Sequence, residues 1–313
     1  TLNFQVSNNV LSIFEPISIV VITSVELRLF GPLFSILWRL FTDHHLCVIL
    51  KKLINTNEVL RNLNIEVTIN VTDLRTFLVG FTIHFIIYIV SLSGYFRVTP
   101  DYSFLSWGMW SLGFLFNRFL FYEYIALVTC VQIMVSKMND ELSKGSVPIG
   151  ELGALHTVVL DDLEYMNRFI LGLPMIVNII ANNMSSVIYL LYHYVIFKGL
   201  FIASEVNLFV PVFDVALKLF DMVLLFSFCR AVEIEVNRTT LVLQQKLIME
   251  TDQKVRRKLA FFSLRRLHAD FHFTLCGFYK INYRQLLLLL SKVITFLVIQ
   301  IQFKRHRYSE ASE

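Results

Sequence analysis

Long apolar runs separated by short polar stretches recur along the whole chain, and seven of them come close to the roughly 20 residues a helix needs to cross a bilayer. The first apolar region, about 10–50, is interrupted by Gly31-Pro32. Proline lacks a backbone donor and favours the first turn of a helix, so the pattern predicts two spans there, over about 10–27 and 33–50. The stretch KKLINTNEVLRNLNIEV follows, with Leu53, Ile54, Val59, Leu60 and Leu63 at helical spacing. It is too charged to span and predicts an amphipathic cytosolic extension. A third span is expected over about 74–95 and a fourth over about 104–135, after a turn at Pro100. The fourth run exceeds one perpendicular crossing, so a tilt or a continuation into water at SKMNDELSK is expected. An amphipathic lead-in, LHTVVLDDLEYMNRF, precedes a fifth span over about 170–195, kinked at Pro174. The sixth span, about 206–229, is predicted to run on out of the membrane into a charged stretch and a second cytosolic helix, and the seventh covers about 286–303.

Composition turns this pattern into a class. Of 313 residues, 56% are hydrophobic and 17% charged, against about 25% charged in a soluble domain. Mean hydropathy is +0.62. The fold expected is an all-α membrane protein of seven transmembrane helices, extended into a cytosolic region, with no room for a separate soluble catalytic domain. The net charge of +4 is mild until it is sorted by junction. Lys51, Lys52, Arg61 and Arg75, then Lys137 and Lys144, then Lys246, Lys254, Arg256, Arg257, Lys258, Arg265 and Arg266 fall on alternate junctions, whereas the other two inner junctions hold Arg97 and Lys198. By the positive-inside rule the basic junctions are cytosolic, which puts the amino end inside and the carboxyl end outside; the basic tail KRHRYSE is the one feature that objects. Cys47, Cys130, Cys229 and Cys276 then lie on the cytosolic side, where thiols stay reduced. No short apolar run resembles a cleavable signal, so the first span is expected to act as its own signal-anchor.

Chemistry has little to attach to. The cysteines show no CxxC spacing, no HExxH or Gly-rich phosphate loop occurs, and Ser, His and Asp are scattered. No enzymatic role, metal or cofactor is expected. The basic stretch KVRRKLAFFSLRRLH, beside a membrane, reads as a topology determinant and a binder of anionic lipid headgroups rather than of nucleic acid. Ionisable residues inside spans are functional candidates: Arg118 and Glu123 in the fourth span, and Asp214, Lys218 and Asp221 in the sixth. The last three are spaced to neutralise one another on one helix face, or to re-pair when helices shift. His84 reads as a satisfied interior residue. A G-protein-coupled receptor would carry its amino end outside, an Asp-Arg pair after its third span and Asn-Pro-x-x-Tyr in its last, none of which fits here. A secondary transporter would need inverted repeats, and the first three spans do not pair with the last three.

The carboxyl-terminal third is more specific. The run ending in Thr295, Phe296, the five residues 297–301, Gln302 and Phe303 resembles the TYhhhhhQF signature (h apolar) that closes the last span of insect gustatory receptors, with Phe296 in place of Tyr and Gln300 at one apolar position. CRAVEIEVNRT at 229–239 is similar to that family's exit from the sixth span, FTLCGF at 273–278 to its approach to the seventh, and LEYMNRF to one of its loops. The resemblance implies a tastant-gated, non-selective cation channel in the plasma membrane of sensory neurons, built of four copies of the chain or of related subunits around a central pore. Under it the chain divides into 1–228, with the ligand pocket in the outer half of six spans, 229–285, which anchors the subunits in the cytosol, and 286–313, the pore helix and tail. Thr295, Ile299 and Gln302 share one helical face and form the expected pore lining, with Phe303 as gate plug; Lys292 is expected in a wide inner vestibule. Outer-half candidates for the tastant are Tyr88, Tyr95, Trp107, Trp110, Asn117, Asn182, Asn183, Tyr189, His193, Asn207 and Asp214. Asp214, Lys218 and Asp221 would couple pocket to pore. The departure at Phe296 and Gln300 favours bitter or other small organic ligands over sugars.

Overall fold

The computed structural model describes residues 11–67, 71–98, 104–145, 147–195, 209–267 and 271–311. They form the helices α1 (Leu11–Asn62), α2 (Val71–Val98), α3 (Phe104–Lys144), α4 (Ile149–Tyr165), α5 (Gly172–Val195), α6 (Phe209–Met249), α7 (Gln253–Leu267) and α8 (Tyr283–Ala311). A π-helical turn, Met166–Ile170, joins α4 to α5, and a short hairpin of β1 (Thr274–Leu275) and β2 (Tyr279–Lys280) precedes α8. The fourth expected span does continue into SKMNDELSK as α3, and the sixth runs through Met249 before a separate α7.

The break expected at Gly31-Pro32 is absent. The two predicted spans and the amphipathic stretch after them are one helix of 52 residues, about 78 Å long at 1.5 Å per residue and so long enough to cross a bilayer once and project beyond it. Pro32 forfeits one backbone bond, yet the helix runs on through it, as membrane helices commonly tolerate. Ser35 Oγ donates to Gly31 O at 2.8 Å and accepts from Asn178 Nδ2 of α5 at 3.1 Å. Asn178 comes so close that a Cβ on Gly31 would meet its Oδ1 at 2.9 Å, so the glycine permits the approach of α5 rather than ending α1.

The kink expected at Pro174 lies a turn earlier. The chain bends by 51° between Ile149–Ile170 and Gly172–Ala181, where the π-helical turn adds a residue to the ladder. Pro174 sits in the first turn of α5, where a missing N–H leaves no helical bond unmade. The seventh expected span also continues as helix beyond Phe303, to Ala311.

The core lies where α1 packs on α5 and α3 on α6, with α1–α3 and α5–α6 contacts closing the group. In α3 the buried residues Tyr124, Val128, Val131, Val135, Met138 and Leu142 recur every three to four positions, the stripe a helix needs to face a core. Leu225, Cys229, Val232 and Val236 do the same in α6. α2 touches α6, and α8 touches α5 and α6. Among the described residues two helices, Phe30–Asn62 and Ser111–Lys144, are long and apolar enough to cross a membrane, and the bent α4–α5 pair is a third when counted as one span. Leu78–Val90 of α2 is a shorter apolar segment.

Candidate functional site: a buried polar cluster between three helices

Where α2, α3 and α6 meet, each supplies polar side chains one turn apart. His84 and Tyr88 come from α2, Arg118 and Tyr122 from α3, Lys218 and Asp221 from α6. His84, Tyr88, Lys218 and Asp221 are 1–5% exposed. Such charges are costly in an apolar interior unless paired, and Asp221 is bridged across helices. The Arg118 guanidinium is hydrogen-bonded to Asp221 Oδ2, and His84 Nε2 lies 2.7 Å from Asp221 Oδ1. Tyr122 OH is hydrogen-bonded to His84 Nδ1, and the Arg118 guanidinium stands 6.0 Å from the centroid of the Tyr88 ring. The self-neutralising triad expected along the sixth span omits what Asp221 actually meets: its carboxylate is held by Arg118 of α3 and faces His84 of α2.

A second, half-buried pairing fixes α1 against α3. Arg39 grips Glu123 through both terminal nitrogens, at 2.6 and 3.2 Å, and its Nε reaches Asp43 at 2.7 Å. The π-helical turn is fastened from three sides. Trp38 Nε1 donates to Ile170 O at 2.8 Å, Tyr124 OH to Asn167 Oδ1 at 2.8 Å, and Cys276 N to Asn167 O at 3.0 Å. Gly172 is enclosed there: a Cβ would stand 1.7 Å from Asn167 O.

The exit of α6 is a docking strip for the segment that leads to α8. Asn237 Nδ2 donates to Phe271 O at 3.1 Å and Asn237 Oδ1 accepts from Phe271 N at 3.0 Å, while Glu233 Oε2 accepts from Phe273 N at 3.3 Å. CRAVEIEVNRT and FTLCGF therefore fit each other: Cys229, Val232, Val236, Phe273 and Leu275 are fully or almost fully buried together. Outside the spans, burial pushes the Cys276 thiol and the Tyr279 phenol above their ordinary ranges.

Of the expected ligand residues, the structure brings Tyr88 into the α2–α3–α6 cluster. Asn117, one residue before Arg118, has a buried Oδ1 with no hydrogen-bond partner among the described residues. Asn183 is apart from it; its Nδ2 donates to Ile179 O at 2.6 Å, and it lines an apolar cavity of about 170 Å³ with Ile176, Ile180, Tyr279 and Leu289. Of the coupling residues, Asp221 is in the cluster, and Lys218 is buried one turn before it on α6. Thr295, Ile299 and Gln302 are exposed on α8, as is Lys292. The side chains of Tyr95, Trp107, Trp110, Asn182, Tyr189, His193, Asp214 and Phe303, and Asn207 altogether, lie outside the described residues. Sequence reasoning missed Tyr122 and Arg39; the signal for Tyr122 was its position one turn beyond Arg118.

A family model described as "7tm Chemosensory receptor" matches residues 17–305. No curated protein matches the chain.

Proposed function

The chain belongs to the 7tm chemosensory receptor family, and from that premise we propose that it is a gustatory receptor acting as a tastant-gated, non-selective cation channel, with no enzymatic step of its own. The match over 17–305 carries the reading; a helical membrane chain whose last helix exposes a mixed face of aliphatic residues with Thr295 and Gln302 supports it. Thr295, Ile299 and Gln302 stand on that face of α8, and Ile294 and Val298 beside them are 60% and 45% exposed. Four copies, each turning this face inward, would enclose a pore whose apolar rings close by dewetting and whose Gln302 amides admit ions when rotated in.

In this reading the junctions after α1, α3 and α6 face the cytosol, because they carry the basic residues. With α1 continuous, its amino-terminal end then faces outward, reversing the inward amino end expected from two separate spans. The tastant enters among the outer halves of the helices, and a shift of α2 or α6 reaches the rest of the subunit through the Arg118–Asp221–His84 bridge. The protein is placed in the plasma membrane of sensory neurons with itself or related subunits as partners. The test is current recording from cells expressing this chain alone, challenged with a panel of small organic tastants. Ligand-evoked cation current that persists under G-protein blockade is expected; a response abolished by that blockade overturns the channel reading.

A further inference from the structure

A cleft between α1 and α4 holds chemistry that the channel reading does not use. It encloses about 300 Å³ and is lined by His45, Val48, Ile49 and Lys52 of α1 and by Asp161, Asp162 and Tyr165 of α4. The carboxylate of Asp162 is 6% exposed; Oδ1 receives Lys52 Nζ at 3.1 Å, and Oδ2 has no hydrogen-bond partner among the described residues. A buried carboxylate oxygen left without a donor is costly, and a bound donor would relieve it. With Asp161 beside it, the lining carries two carboxylates against one ammonium, that of Lys52, whose side chain is 57% exposed and free to swing aside.

The rest of the wall is aromatic and apolar. Tyr165 OH is hydrogen-bonded to His45 Nδ1 at 3.2 Å, and the two rings stand 6.2 Å apart by centroid. Tyr165 and Val48 are 38% and 40% exposed at the cleft mouth. The described residues contain no group of three His, Cys, Asp or Glu placed to hold a metal ion, and net acidity disfavours an anion. We propose that this cleft binds an alkylammonium group, its N–H or N–CH₃ face set against Asp162 Oδ2 and the Tyr165 ring. The group is carried either by a lipid headgroup of the ethanolamine or choline type or by a free amine.

Full-length receptor, purified and delipidated, tests this with two probes. Native mass spectrometry compares retention of phosphatidylethanolamine with that of phosphatidylglycerol, and calorimetry titrates choline chloride against sodium chloride. Asp162→Asn, which keeps the shape and removes the charge, should weaken binding of the ammonium probe about tenfold. Lys52→Gln removes the competing cation and should strengthen it. Selective retention of the ethanolamine lipid over phosphatidylglycerol assigns the site to lipid, and choline binding without such retention assigns it to a soluble amine. Binding of neither probe overturns the proposal, as does a Lys52→Gln receptor that binds the ammonium probe no better than the parent; that second readout stands even if Asp162→Asn fails to fold.

Discussion

At the residue scale, Asn237 shows how a motif can be explained by contact alone. Both ends of its amide are spent on the backbone of Phe271, an arrangement in which a side chain imitates a neighbouring strand. Asn237→Ala leaves one backbone donor and one acceptor at Phe271 without their partners and is expected to cost about 1–3 kcal/mol. A lower melting temperature in fluorescence-detected size exclusion checks it. The same contacts leave no free amide for a glycan, so the Asn237-Arg-Thr sequon should stay unmodified; a mass shift on glycosidase treatment that Asn237→Gln abolishes would contradict this placement. The Cys276 thiol, raised by burial, holds less thiolate at neutral pH than an ordinary cysteine. Since the thiolate is the nucleophile, its alkylation at pH 7.5 should be slow and should accelerate as pH rises towards its elevated pKa, which a maleimide rate series on a variant keeping only that cysteine would show. Much at this scale was legible in the sequence, because Arg118, Glu123, Lys218 and Asp221 advertise themselves as charges in apolar runs. Their partners were not, because pairing across helices depends on which faces meet, and neither residue spacing nor hydropathy encodes that.

At the element scale, the α4–α5 junction shows where local pattern and tertiary packing part. Pro174 is the visible helix breaker, yet the bend belongs to the π-helical turn at Met166–Ile170, whose carbonyls are taken by Trp38 and Cys276 from distant parts of the chain. Gly31-Pro32 fails as a breaker because α1 runs through it, losing only the bond that Pro32 cannot donate, while Gly31 admits Asn178 of α5. The β1–β2 hairpin could have been found, since Phe271, Phe273 and Leu275 alternate with His272 and Thr274 before a Cys276-Gly277 turn at positive φ, the strand period followed by a turn glycine. Gly172→Ala tests the junction. Its Cβ would lie 1.7 Å from Asn167 O, 2.9 Å from Asn167 C and 3.0 Å from Cys276 N, all backbone atoms that cannot rotate away. A loss of more than about 3 kcal/mol, or failure to reach the surface, is expected, measured as surface labelling beside total expression; near-parental surface levels would contradict the enclosure.

At the scale of the whole molecule, two pairings have different consequences. Arg39 with Glu123 ties α1 to α3, inside the packed group of α1, α3, α5 and α6. Asp221 of α6 meets His84 of α2, a helix at the edge of that group that also contacts α3 through Tyr122. A bridge at the edge can open without dismantling the core, so it suits a subunit that must move when ligand arrives. Breaking it by Asp221→Asn leaves the largely buried Arg118 guanidinium facing a neutral amide, which should cost stability of about 3–5 kcal/mol. His84→Gln alters the contacts to Asp221 and Tyr122 but leaves Arg118 paired with Asp221, so the receptor should still assemble. If the bridge carries the ligand's effect to α8, His84→Gln shifts the concentration for half-maximal current several-fold while single-channel conductance stays unchanged. Gln302→Ala, on the exposed face of α8, should do the reverse and change conductance or block. Patch recording of both variants separates the roles: equal effects of the two on conductance would remove the distinction between a coupling bridge and a pore face.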